Sequence, residues 1–178
     1  MAWEAKCIRY EADQRHAEVL TDMLNLQDAK GVDTPGICES KTELESRWLN
    51  ESESYERESL TKEETTAYRA CAARGNYLGL DRPDLQFAAK EISRNMSKPC
   101  INDIAALKRL GRYVKQHPRL VFEYCFQEPQ KRIRIFSDAN WAGCLKTRKS
   151  TQGGVVMLGS HCIKTCLLYT SDAADDRI

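Results

Sequence analysis

From Ala12 to Pro118 apolar residues recur mainly every three to four positions, and after Pro118 every second position, so the chain changes from a helical to a strand period there. Lys6 to Glu11 alternates as a short strand would. Ala17, Leu20 and Leu24, widened by Val19, Met23 and Leu26, predict a helix over 12–26. Val32-Asp33-Thr34-Pro35-Gly36 ends it, because proline disfavours the α region before it and glycine permits a sharp turn. Thr61-Lys62-Glu63-Glu64 is a capping-box pattern that predicts a helix running towards Leu78. Asp81-Arg82-Pro83 restarts the chain, with Asp81 suited to an N-cap and Pro83 to the first turn. Leu85, Ala88, Ala89, Ile92 and Met96 then mark a helix that ends before Pro99. Another follows Asn102, with Ile104, Leu107, Gly111 and Val114 on one face. Strands are expected at Leu120–Phe126, Ile133–Asp138 and Gly154–Leu158, with a stub at His161–Thr165. Helices followed by strands make this an α+β chain: a small helical bundle, then a sheet.

At 178 residues the chain holds one ordinary domain or two small ones. It has no apolar run long enough to span a bilayer and no signal-peptide core after Met1. A cytoplasmic or nuclear protein with no membrane partner is expected. The eight cysteines form no CxxC pair and lack histidines at zinc-finger spacing, so reduced, partly buried thiols are expected. His161 beside Cys162 lacks the further ligands a metal needs.

The formal net charge of +1 conceals an asymmetry. Glu39 to Glu64 holds nine acidic and four basic residues, whereas Thr65 to Thr165 holds eighteen basic and seven acidic. The first stretch, rich in Glu and Ser, is expected to be an exposed linker or a loosely docked helix. The second has the electrostatic footprint of a surface that meets a polyanion, or of a solvated basic face. Lys108, Arg109, Arg112 and Lys115 carry that charge on the third bundle helix, where they could track a phosphate backbone or simply face water. Arg148 and Lys149 offer the same pair of readings in a turn. Trp141 and Tyr113 are expected to pack rather than to stack on bases.

The richest stretch is Phe136-Ser137-Asp138-Ala139-Asn140-Trp141-Ala142-Gly143 followed by Thr147-Arg148-Lys149-Ser150-Thr151-Gln152-Gly153-Gly154. A basic strand delivers one aspartate, Asp138, to its end, where a carboxylate can hold a divalent metal over a phosphodiester. An ordinary strand-end aspartate is the alternative. This stretch resembles the SDADWAG…TRKSTSG opening of the RNase H domain in copia-type retrotransposon Pol polyproteins. Three further blocks resemble the same family in order. They are His16-Ala17-Glu18-Val19-Leu20 through Thr34-Pro35-Gly36, Tyr68-Arg69 through Arg82-Pro83-Asp84-Leu85-Gln86-Phe87-Ala88, and Leu107-Lys108-Arg109-Leu110-Gly111-Arg112-Tyr113-Val114.

The resemblance implies a C-terminal piece of the reverse transcriptase region running into RNase H. It implies a tether over 1–38, an acidic linker over 39–60, a helical connection region over 61–118 and the first strands of an incomplete RNase H-like mixed sheet over 119–165. The implied partners are an RNA/DNA hybrid and the remainder of the Pol polyprotein, and the implied cofactor is Mg²⁺ in the intact parent. The family's polymerase Y-x-D-D turn is not present. Asp138 matches the first RNase H carboxylate and is the one acidic residue between Lys131 and Thr165. Two-metal hydrolysis needs several carboxylates, so no RNase H activity is expected of this chain. Asn140 departs from the family's second aspartate. Residues 166–178 resemble a translated sequencing adapter, which implies a frame cut short by cloning, forty residues past Asp138. A non-catalytic helical module that binds nucleic acid or protein is the rival reading.

Overall fold

The computed structural model describes residues 2–4, 6–37, 59–140, 143–144 and 149–172. The acidic stretch therefore lies almost wholly outside the described residues. The chain divides into two compact units, Met1–Arg9 with Glu123–Ile178, and Tyr10–Phe122.

The second unit is helical: α1 (Gln14–Met23), α2 (Lys62–Gly79), α3 (Pro83–Arg94) and α4 (Ile101–Gln116). Each start has a local chemical cause. The Asp13 carboxylate accepts the Arg15 backbone N–H at 3.0 Å before α1. Thr61 and Glu64 bond each other's backbone at 3.2 and 2.9 Å before α2, as their spacing predicts. At α3 the N-cap is Arg82 rather than the expected Asp81. Asp81 instead accepts the Tyr10 hydroxyl at 2.6 Å, and Arg82 is drawn inward by Asp84. α4 starts one residue before Asn102, because Asp103 reaches back to the Cys100 amide at 2.8 Å.

Leu20, Tyr68, Cys71, Leu85, Ile92, Leu107, Leu110 and Val114 meet in one apolar core shared by all four helices. At roughly 1.5–3 kcal/mol for each large apolar side chain, this burial is what holds the unit together. Tyr68 donates its buried hydroxyl to Ile92 O at 2.7 Å. Burial pushes that phenol's pKa up. The next residue, Arg69, closes the end of α3 by donating to Met96 O and Ser97 O at 2.7 and 2.9 Å.

After α1 the chain turns through Asn25, at φ 52°, and runs across α4 as a strap. A Cβ on Gly111 would come within 2.6 Å of Leu26 Cδ1 and 2.8 Å of Leu24 Cδ1. Only glycine allows strap and helix to approach this closely.

β1 (Ala2–Glu4) pairs antiparallel with β2 (Cys7–Glu11), and β3 (Val121–Cys125) adds to β2. Here the expectation of reduced thiols fails for one pair. Cys7 and Cys125 are joined as a disulfide, because adjacent strands set them side by side across 118 residues of sequence. Of the other cysteines, Cys71 and Cys100 are buried free thiols, and burial raises both pKa values.

The second sheet is an antiparallel meander, β4 (Ile133–Asn140), β5 (Lys149–Leu158) and β6 (His161–Asp172), in the order β4-β5-β6. β5 begins five residues earlier than its apolar run suggests, since Gly153 and Gly154 continue the ladder opposite Asp138 and Ser137. β6 outruns the expected stub, and Leu167 to Tyr169 pair with Gly153 to Thr151. Gly159, at φ +60°, makes the turn between β5 and β6.

Candidate nucleic-acid interface and metal carboxylate

The residues singled out in the sequence fall into two places. Lys108, Arg109, Arg112 and Lys115 lie on α4, and Asp138 and Lys149 lie on β4 and β5. Arg148 and Trp141 are outside the described residues.

On α4 the 3.6-residue repeat brings the four basic residues onto adjacent turns, and three of them hold the strap. Arg109 donates to Thr34 Oγ1 at 2.7 Å, Arg112 to Lys30 O at 2.6 Å, and Lys115 to Ala29 O at 2.7 Å and to Gln27 O. Arg112 and Lys115 satisfy backbone carbonyls that the turn after α1 leaves without helical partners. Lys108 is exposed. As a phosphate-binding face, α4 therefore offers one cation fully to solvent, while the other three fasten the chain to itself.

The Arg82-Pro83-Asp84 block proves to be a buried ionic hub. Arg82 is 2% exposed. Its guanidinium donates to Asp84 at 2.7–3.3 Å, to His117 O at 2.9 Å and to Pro118 O at 3.2 Å. Tyr113 donates its hydroxyl to the same carboxylate at 3.1 Å. Burial, first, and the Asp84 charge, second, push the Tyr113 phenol's pKa up. Tyr113 is thus a packing residue, as its sequence setting suggests. The hub ties the start of α3 to the end of α4, a role that sequence spacing alone did not reveal.

On β4, Asp138 is exposed and accepts its neighbour Ala139's N–H at 2.9 Å. Its cross-strand partner is Gly153, so no side chain stands opposite it on β5. Asn140 turns across the ladder to accept the Thr151 N–H at 2.6 Å. A Cβ on Gly143 would fall 2.3 Å from Asn140 Nδ2. Asn140 here ties the end of β4 to β5. Lys149 opens β5 and is half-buried, opposite Asp172 in the register.

For Mg²⁺ this donor set does not suffice. The ion demands near-octahedral oxygen ligation, and a pair of ions needs several carboxylates to neutralise them. Among the described residues no group of three His, Cys, Asp or Glu side chains is gathered anywhere. Asp138 brings one carboxylate, with one oxygen already bonded to an amide. His161 is likewise used internally. Its Nε2 sits 2.7 Å from Cys125 O, which only accepts, so that nitrogen carries the proton, and Nδ1 accepts from Gln127 Nε2 at 3.0 Å. Among the described residues no helix is long and apolar enough to cross a membrane.

Comparison with known proteins gives a consistent picture. The chain is 30% identical over 150 residues to the retrovirus-related Pol polyprotein from transposon RE1 of Arabidopsis thaliana, covering 84% of this chain and 9% of that protein. The corresponding polyprotein from transposon RE2 of the same plant is 30% identical over 151 residues, with the same coverage. An uncharacterized mitochondrial protein of Arabidopsis thaliana is 35% identical over 98 residues, 54% of this chain and 40% of that protein. The chain thus spans less than half the length of each of these relatives. No family model matches the sequence. No solved structure matches it either.

Proposed function

From the premise that this chain is a relative of copia-type retrotransposon Pol polyproteins, we propose that it is a non-catalytic piece of their reverse transcriptase and RNase H region. In this reading the helical unit is a scaffold at the end of the reverse transcriptase region, and β4-β5-β6 is the opening meander of an RNase H-like sheet. Asp138 is the single carboxylate that the piece contributes to an Mg²⁺ site in the intact parent. The observation that carries the reading is the exposed Asp138 carboxylate near the end of a strand, with glycine opposite it. That leaves one flank open to a ligand. Because one carboxylate cannot hold a metal pair, the chain by itself binds nucleic acid without cutting it.

The nucleic-acid partner would be an RNA/DNA hybrid, held by phosphate contacts rather than base readout. Lys131 and Arg132, exposed just before β4, lead into the strand that carries Asp138, and Lys108 is the exposed cation of α4. Fluorescence anisotropy with a labelled hybrid tests this. Two or three phosphate contacts make affinity fall about ten- to fortyfold between about 50 and 200 mM salt. Lys131→Glu with Arg132→Glu weakens binding further. Salt-independent binding, or binding indifferent to those substitutions, overturns the reading. Arg109 and Arg112 are poor probes, since replacing either one also unseats the strap.

The rival reading, a helical module that docks another protein, draws on the same α4 geometry. Three of its four cations serve the fold, which leaves that face little charge for a phosphate backbone. If Lys108→Glu leaves hybrid affinity unchanged while the Lys131 and Arg132 substitutions abolish it, the helical unit is a scaffold and not part of the interface.

A further inference from the structure

We propose that β4 is a homodimerisation edge, on which two copies of this chain pair antiparallel about Phe136. Among the described residues β4 ends the sheet, with β5 on one side and no strand on the other. All eight of its residues are exposed, including Ile133 at 65%, Ile135 at 72% and Phe136 at 54%. An open strand edge with apolar side chains is a template for another strand.

The partner follows from charge. Arg134, Phe136 and Asp138 alternate along β4 and so project from one face of the sheet. The Arg134 guanidinium lies 5.9 Å from the Phe136 ring centroid, on that same face. A second β4 laid antiparallel about Phe136 sets Arg134 of each copy opposite Asp138 of the other, with the two Phe136 rings between them. Both ion pairs form at once, because the motif is its own complement in that register. Moving the register by one residue puts Arg134 opposite Ser137 and loses both. The guanidinium donates to Gly159 O at 2.7 Å but has further N–H groups left for a carboxylate.

In such a dimer the Asp138 carboxylate is occupied, so self-association and metal binding at Asp138 compete. The pairing itself does not depend on the function proposed above.

Sedimentation velocity of the full 178-residue chain tests this, with disulfide-linked species excluded on a non-reducing gel. The fraction of dimer rises with concentration. Arg134→Glu or Asp138→Arg alone sets like charges opposite each other twice and weakens the dimer at least about tenfold. Combining them restores the dimer, because the swapped charges are complementary again. A chain that stays monomeric at about 200 µM overturns the proposal. So does a dimer indifferent to both single substitutions, or a double variant no tighter than the singles. If one single variant does not fold, as circular dichroism would reveal, the other and the double still decide it.

Discussion

Replacing Arg82 by alanine strikes the helical unit where its structure is most exposed to a single loss. The guanidinium is almost fully buried and bridges Asp84 to the His117 and Pro118 carbonyls. Removing one partner of a buried ion pair costs about 3–5 kcal/mol, chiefly through the charge left behind. The Asp84 side chain keeps 22% exposure and can partly rehydrate, which points to the lower end, about 3 kcal/mol. For a unit of this size that is a fall in Tm of roughly 12–24 °C. Arg82→Lys keeps a charge for Asp84 but cannot fork to both carbonyls, and should lose about half as much. Urea and thermal unfolding, followed by far-UV circular dichroism of the helices, measure both. An Arg82→Ala variant within about 1 kcal/mol of the parent would refute the hub as a stabilising element.

Gly111→Val drives methyl groups into Leu24 and Leu26 and should cost about 1–3 kcal/mol. Limited proteolysis should show cleavage shifting to the strap over 24–37. Peptide mapping without reductant should recover Cys7 linked to Cys125, and Cys125→Ser should destabilise its unit by about 2–5 kcal/mol. The Asp13 carboxyl is held at about 2 by the Arg15 side chain and then by the Arg15 amide. Because this value lies below the unfolded one of about 3.9, its contribution is complete above that pH and is lost as pH falls through about 2. Carboxyl NMR should find Asp13 titrating at about 2, and a value near 4 would rule out the cap.

What the sequence made legible was local chemistry. Thr61 and Glu64 announce α2 because a capping box needs only four residues, and Gly111 stands on the buried face its spacing predicted. What it concealed were contacts between distant residues. Nothing near Cys7 points to Cys125, 118 residues away, and nothing near Arg109 or Arg112 points to the strap that claims them. A basic helix face looks alike whether it meets phosphates or carbonyls, since both satisfy the same N–H groups. Arg82 deceived for a related reason. A charged residue before a helix-starting proline suggests solvent, yet Asp84 and two carbonyls at the end of α4 make burial affordable. Asp138 could be picked out by its motif, and its exposure and the glycine opposite it became visible only with the strand register.

Incubating the purified chain with Mg²⁺ and an RNA/DNA hybrid labelled on the RNA strand is the most direct test of the claim that one carboxylate cannot assemble the cutting site. The expected result is no RNA cleavage above that given by an Asp138→Asn variant prepared in parallel. Cleavage by the parent chain that disappears in Asp138→Asn would contradict the account.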